Sequence, residues 1–221
     1  MPFILTANHG VNGLQKDISG MSNRTNLLMV FVRNARIGKV KTRLAKKIGD
    51  EEALEIYVRL LQYTAEVCGS ANAEKAVFYS EYIDESDEFS VSEFQKFLQL
   101  GEDLGERMKN SFVKGFGRGY EKIIIVGSDC MELTTEIIDE AFVSLDKNDV
   151  VIGPAKDGGY YLLGMKKLYP EFFRNKVWST SNVFLDTLLD IQKMSLKFHA
   201  LPMLNDVDEE SDLTDELRNL L

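Results

Sequence analysis

At 221 residues, with 44% hydrophobic and 28% charged residues, the chain has the make-up of an ordinary globular protein with room for a sizeable core. Its formal net charge of −9 argues against a general nucleic-acid binder, which needs a basic surface to displace counterions. No run approaches the ~20 apolar residues of a bilayer span, no secretory signal is legible, and Cys68 and Cys130 form neither a disulfide framework nor a metal knuckle. A cytoplasmic chain is the reading that follows.

Residues 1–24 carry no periodicity and read as a disordered extension, with Met21 as an alternative start, ahead of a single domain over residues 25–221. The first strand is the continuous apolar run Leu27–Val32, suited to cover on both faces. Asp50 reads as the N-cap of a helix whose apolar positions Ala53, Ile56, Tyr57, Leu60, Leu61 and Ala65 repeat at helical spacing. A strand near Ala76–Ser80 precedes a polar loop from Glu81 to Ser92. A helix then starts at Asp103, carries Leu104, Met108 and Phe112, and is expected to stop at the glycines 115, 117 and 119. Lys122–Val126 is the clearest buried strand; a helix over Thr135–Leu145 and a strand over Asp149–Ile152 follow. Lys156–Gly159 is a turn feeding a strand over Tyr160–Gly164. A helix near Asn182–Gln192, a strand near Leu196–Leu201 and a closing helix from Glu209 end the list. Strands alternating with helices predict a three-layer α/β/α domain around a mostly parallel mixed sheet.

In such sheets ligands bind beyond the carboxyl ends of the strands, so the following loops hold the chemistry. Between Arg33 and Lys47 stand seven Lys/Arg residues and no acid; between Asp206 and Glu216 stand seven Asp/Glu residues and no base. In the first loop, Gly38 permits close backbone approach, and Lys39, Lys41 and Arg43 can neutralise phosphate. The spacing is neither a P-loop nor a Rossmann fingerprint, and a merely solvated basic loop is the alternative. After the Ile-rich strand, Asp129 sits where a carboxylate needs a cation or partner, and Mg²⁺ bound by one or two carboxylates plus phosphates suits it; capping the next helix is the other reading. Cys130 is disfavoured as a nucleophile. Asp157, Gly158, Gly159 and Tyr160 offer close backbone access and an aromatic face, or simply a hairpin turn. Asp206 and Asp208 alternate along an extended segment, so one is expected to reach a metal while the other caps the final helix or stands behind.

KVKTRLAKKIG, GEDLGERM, GSDCMEL, GPAKDGGYYLLG and DVDEESDL occur in this order over residues 26–215. Together they resemble a family of small transferases with the nucleotide-diphospho-sugar (GT-A type) fold, labelled glycosyltransferase, selenodomain-associated transferase 1 type. That family is similar in turn to the phospholactate and molybdopterin-cofactor guanylyltransferases. One departure is Met131, where the family's Asp-Cys-Pro loop has proline. The resemblance implies that Lys39, Lys41 and Arg43 contact nucleotide phosphates, with Gly38 and Asp103 counted beside them. It implies a metal, Mg²⁺ or Mn²⁺, on Asp129 with Asp206 and Asp208, catalytic roles for Asp129 and Lys41, and an acceptor or sugar wall at Asp157–Tyr160.

The activity implied is transfer from a nucleotide-activated donor to a small acceptor, with glycosyl transfer from a nucleotide-sugar placed first. Guanylyltransferase-like nucleotidyl transfer to a phosphorylated acceptor is the alternative, and a catalytically silent nucleotide-binding protein is the reading from another class. The two transfer readings share most of their parts.

Overall fold

The computed structural model describes residues 25–221; the expectations for residues 1–24 and for Met21 lie outside them. The chain runs β1 (Asn26–Val32), α1 (Thr42–Ile48), α2 (Asp50–Gly69), β2 (Glu74–Tyr79), β3 (Phe94–Leu98), α3 (Leu104–Gly117), β4 (Lys122–Val126), α4 (Thr135–Ser144), β5 (Val150–Pro154), β6 (Tyr160–Met165), α5 (Val183–Lys193), β7 (Phe198–Ala200) and α6 (Asp215–Arg218), with 3₁₀ turns at Pro170–Phe173 and Glu210–Asp212. Among these, no helix is long and apolar enough to cross a membrane.

One seven-stranded sheet, ordered β3-β2-β1-β4-β6-β5-β7, holds the layers together. β1 pairs in parallel with β2 and with β4, and β2 pairs in parallel with β3. β6 is antiparallel to both β4 and β5, while β5 and β7 are parallel. Six strands therefore share one direction and β6 alone runs against them. The order reverses between β1 and β4, which is where an open α/β sheet forms its ligand crevice.

The apolar run in β1 supplies both faces at once, because alternate side chains point to opposite sides. Leu28, Val30 and Val32 join the core cluster under α1, α2, α4 and α6. Leu27, Met29 and Phe31 join the second cluster, under α3, α5 and the 170–173 turn. Truncating a fully buried leucine such as Leu28 to alanine costs ~2–5 kcal/mol in sites of this kind, so both layers depend on this strand.

The structure corrects three local expectations and refines a fourth. Gly49, at φ 103°, occupies the cap position before α2, and Asp50 is its first helical residue, where its charge still suits the positive helix end. α3 passes through Gly115 and ends at Gly117, within the run of glycines expected to stop it. A Cβ at Gly115 would lie 2.5 Å from Ile123 Cδ1 and 2.7 Å from Met29 Cε, so the glycine is what lets α3 lie close on the sheet. β3, FQKFL, was not anticipated, because an edge strand buried only at Phe94 carries no apolar run. The closing helix shortens to a 3₁₀ turn and four α-helical residues.

The polar loop over 81–92 is a loop, but it is tied down. The Tyr79 hydroxyl donates to Asp87 Oδ2 at 2.6 Å, Lys96 pairs with Asp87 Oδ1 at 2.7 Å, and Phe89 packs edge-on against Phe94.

Candidate active site

The loops after β1, β4 and β7 join at Lys41, and the loop after β5 is tied to the same segment through the bridge of Ala155 to Leu204. The chain leaves β1 through Arg33 and Asn34. The Asn34 side chain is buried; its Oδ1 accepts from Glu81 N at 3.0 Å and its Nδ2 donates to Tyr82 O at 2.9 Å, fastening this loop to the one after β2. Gly38, at φ 68°, and the bond from Lys39 N to Arg36 O at 3.0 Å make a tight exposed turn. Buried Val40 and Leu44 then pin the chain as it enters α1.

Lys41 adopts the left-handed conformation at φ 44°, ψ 43°, which side chains other than those of glycine and asparagine rarely take without compensation. Its side chain is 5% exposed, and Nζ donates to Asp129 Oδ2 at 2.9 Å and to Asp208 Oδ1 at 3.0 Å. Burial alone would depress its pKa; the charges of Asp129 and Asp208 outweigh that and hold the ammonium well above the ordinary lysine value. Arg43, largely exposed, reaches Asp208 Oδ2 at 3.5 Å.

Asp129 stands three residues beyond β4, and its carbonyl accepts from Val207 N at 2.8 Å, splicing the late acidic segment to the β4 loop. Asp206 Oδ1 is buried with no hydrogen-bond partner among the described residues. Burial, then the charges of Asp129 and Asp157, push the Asp206 carboxyl up to about 8. Neither late aspartate caps the final helix, contrary to one expectation. Thr214 Oγ1 accepts from Leu217 N, and Asp212 Oδ2 takes the backbone N–H groups of Asp208 and Glu209. Asp129 likewise leaves the cap of α4 to Thr134.

Other anticipated residues have local duties. Asp103 caps α3, its Oδ1 accepting from Glu106 N at 2.8 Å. Asp157 Oδ1 accepts from Gly159 N at 2.8 Å, and Ala155 N donates to Gly159 O, so the hairpin reading of this turn holds. Gly158, at φ 89°, has no room for a Cβ, which would lie 2.0 Å from Ser181 O. Tyr160 turns toward α3, its hydroxyl 3.9 Å from Met108 Sδ, and makes no bond to the Lys41 cluster. Burial raises the Cys130 thiol to about 12, with Asp206 adding to the effect, which leaves no thiolate to act as nucleophile near neutral pH.

Two positioning residues escaped sequence reasoning. The Tyr57 hydroxyl, from α2, accepts from Arg33 N at 2.9 Å and lies 3.3 Å from Ser128 Oγ, joining the β1 and β4 loops. Gln99 Nε2 donates to Val32 O at 3.1 Å and Phe78 O at 2.8 Å, tying the ends of β1 and β2. Tyr57 was hidden by a helical apolar periodicity that explained it as core; Gln99 had no signal.

Three carboxylates and a buried cation suit a phosphate-bearing ligand and an oxygen-ligated divalent ion. Among the described residues, no three His, Cys, Asp or Glu side chains form a metal-holding group as arranged. The partnerless Asp206 oxygen beside Asp129 fits the sparse requirement of Mg²⁺, one or two carboxylates with phosphates completing the shell.

The family model described as "Uncharacterized protein conserved in bacteria (DUF2064)" matches residues 63–180. A solved structure from Desulfovibrio desulfuricans G20, described as a "putative nucleotide-diphospho-sugar transferase", is 30% identical, with a TM-score of 0.79 over 83% of this chain and 82% of that one. The 4-diphosphocytidyl-2C-methyl-D-erythritol synthase from Anaerococcus prevotii DSM 20548 shares the fold at 12% identity and TM-score 0.54, over 90% and 95% of the two chains. CMP:2-keto-3-deoxy-manno-octonic acid synthetase, solved with CTP, shares it at 10% identity and TM-score 0.54, over 89% and 98%. None of the curated proteins matches the chain. The seven-stranded mixed sheet is thus that of the nucleotide-diphospho-sugar transferase fold.

Proposed function

The chain belongs to the bacterial family described as "Uncharacterized protein conserved in bacteria (DUF2064)", and from that premise we propose that it is a transferase acting on a nucleotide-activated donor, with glycosyl transfer from a nucleotide-sugar as the leading reaction. The observation that carries the reading is the Lys41 ammonium, buried between Asp129 and Asp208 at the crevice between β1 and β4.

In glycosyl transfer the acceptor oxygen attacks the anomeric carbon, the bond from that carbon to the diphosphate breaks, and the nucleoside diphosphate leaves with added negative charge. Lys41 meets that charge in a partly dry setting, where a fixed cation is worth more than in water, and Arg43 and Lys39 reinforce it from the exposed rim. Asn34 and Tyr57 keep the loop in place, so little reorganisation accompanies the charge movement. Asp157 and the backbone of Gly158 and Gly159 form the wall for sugar or acceptor. Asp129, with Asp206 or Asp208, would hold Mg²⁺ or Mn²⁺, which would supply further neutralisation of the leaving phosphates.

Nucleotidyl transfer is a second reading, favoured by the exposed cations of the loop that carries Lys41: Arg33, Lys39 and Arg43 are exposed there, while Arg36 is paired with Glu81 at 2.6 Å. There the acceptor attacks the α-phosphorus of a nucleoside triphosphate and pyrophosphate leaves. Incubating the protein and Mg²⁺ with nucleotide-sugars and, separately, with nucleoside triphosphates separates the two, because the first releases a nucleoside diphosphate and the second pyrophosphate. Release of neither across a panel of small hydroxyl and phosphate acceptors, with no binding of either donor, would overturn the transferase reading.

A further inference from the structure

The ion pairs at the crevice pose a conflict of occupancy. Lys41 Nζ lies 2.9 Å from Asp129 Oδ2 and 3.0 Å from Asp208 Oδ1, and so stands in the gap between the two carboxylates most accessible to a ligand. A Mg²⁺ or Mn²⁺ ion held by those same two carboxylates would need the space that Nζ fills. An ammonium and a divalent cation cannot share that space, since like charges at such range in a partly buried site repel strongly. Lys41 cannot relax into solvent either, for its side chain is 5% exposed and its backbone is held in the left-handed region before α1. Asp206, meanwhile, keeps a buried oxygen with no hydrogen-bond partner among the described residues, while Lys41 engages one oxygen of each of the other two aspartates.

We propose that Lys41 is an internal counter-cation that excludes a divalent ion from between Asp129 and Asp208 until a phosphate group of the ligand draws its ammonium away, so that phosphate binds first and the metal second. The inference rests on the phosphate-ligand reading above and adds to it an order of binding. An anion is the agent required. A neutral ligand gives Nζ no reason to leave two carboxylates, whereas a diphosphate offers more negative charge and equally good acceptors. Once Nζ turns to phosphate, Asp129 loses its cation and Asp208 keeps only the exposed Arg43, and a divalent cation becomes the favourable replacement. The coupling is reciprocal, so bound metal also tightens the grip on phosphate. Arg43, 3.5 Å from Asp208 and largely exposed, is too loosely held to act as the lock.

The test uses Mn²⁺ and inorganic pyrophosphate as separate probes, read by calorimetry and by the Mn²⁺ resonance signal. Wild-type protein should bind Mn²⁺ alone weakly, and Lys41→Met at least tenfold more tightly, because removing the ammonium frees both carboxylates. Adding Asp129→Asn to Lys41→Met should abolish the gain, which assigns the acquired ion to this gap. Lys41→Gln provides the same comparison should the methionine variant melt early. In metal-free buffer, pyrophosphate should bind wild type and lose at least tenfold in Lys41→Met. Equal Mn²⁺ affinity in wild type and both Lys41 variants would overturn the lock, and pyrophosphate binding that requires metal would overturn the order. Neither probe involves a donor substrate, so absence of transferase turnover is a separate result and leaves these outcomes readable.

Discussion

The hydroxyl of Tyr57 engages both backbone groups of Arg33, accepting from its N–H at 2.9 Å and lying 3.2 Å from its carbonyl oxygen. Arg33 is the first residue beyond β1, so a side chain from the middle of α2 decides where the basic loop begins. Tyr57→Phe keeps the ring in the core and removes only these bonds and the link to Ser128. Leaving a partly buried backbone pair without its partner should cost about 1–2 kcal/mol, roughly 2–8 °C in melting temperature for a domain of this size. Nucleotide affinity should fall as well. An unchanged melting temperature with unchanged affinity would mean that α2 does not position the loop.

Asp206 gives the protein a stability that depends on pH. Burial first, then Asp129 and Asp157, raise its folded-state carboxyl to about 8, from an ordinary value near 3.8. Between those values the folded state binds a proton that the unfolded state releases, so stability falls as pH rises from about 4 to 8 and levels off above. Asp206→Asn cannot ionise and should flatten that slope, making the variant the more stable protein at pH 8. Urea unfolding at pH 5, 6.5 and 8 measures it. A slope that survives Asp206→Asn places the titrating group elsewhere.

Trp178 is the single tryptophan in the sequence, and it rests on Gly105 at the start of α3. A Cβ at Gly105 would lie 2.3 Å from the indole Nε1 and 2.4 Å from Cε2, so the ring must leave if any side chain is added. Gly105→Ala should therefore shift tryptophan emission to the red and raise its quenching by acrylamide, with helix content unchanged by circular dichroism. Wild-type emission in the variant would show that the indole is not seated there.

The sheet, the loops that meet and most of the ionic residues are legible in the sequence, because those features leave local marks. The Ile-rich β4 is an unbroken apolar run, and Lys41, Asp129 and Asp208 sit in charge-dense segments directly after strands. What stayed hidden is set by partners distant in the chain. That Lys41 pairs with Asp208 spans 167 positions, and no local pattern foretells it. Edge strand β3 is set by its neighbours rather than by its own composition, and helix α1 has no legible periodicity because its one buried residue is Leu44. Of the late aspartates one is expected at a metal and the other at the helix cap or behind the first; the structure gives the cap to Thr214 and brings Asp206 and Asp208 to the same cluster.

Asp129→Asn keeps the size of the side chain and removes its charge. Lys41 retains Asp208, so the fold should survive with a modest loss of stability, while metal-dependent nucleotide binding should weaken at least tenfold. Titrating a nucleoside diphosphate with and without Mg²⁺ reads this directly. Binding equal to wild type in the presence of Mg²⁺ would remove Asp129 from the metal site.

The sharpest mutational comparison separates phosphate recognition from surface charge. Lys41 and Arg43 converge on Asp208 at the crevice, whereas Lys46 and Lys47 stand exposed in the last turn of α1. Both pairs carry two positive charges within seven residues of each other, so a long-range field would feel their loss alike. A charge-assisted hydrogen bond to phosphate is typically worth ~1.5–3 kcal/mol, or roughly tenfold to hundredfold in affinity per contact. Exposed charges contribute far less, and salt screens most of it. Lys41→Ala/Arg43→Ala should therefore lose nucleotide affinity by about tenfold or more, with the loss persisting at about 0.15 M salt, where the Debye length is ~8 Å. Lys46→Ala/Lys47→Ala should change affinity less than about threefold and lose even that as salt rises. Because Lys41 also neutralises two carboxylates, its double variant needs a melting curve beside the titration, to separate an unfolded fraction from a folded protein that no longer grips phosphate. Equal losses in the two double variants would reduce the basic segment to a surface field.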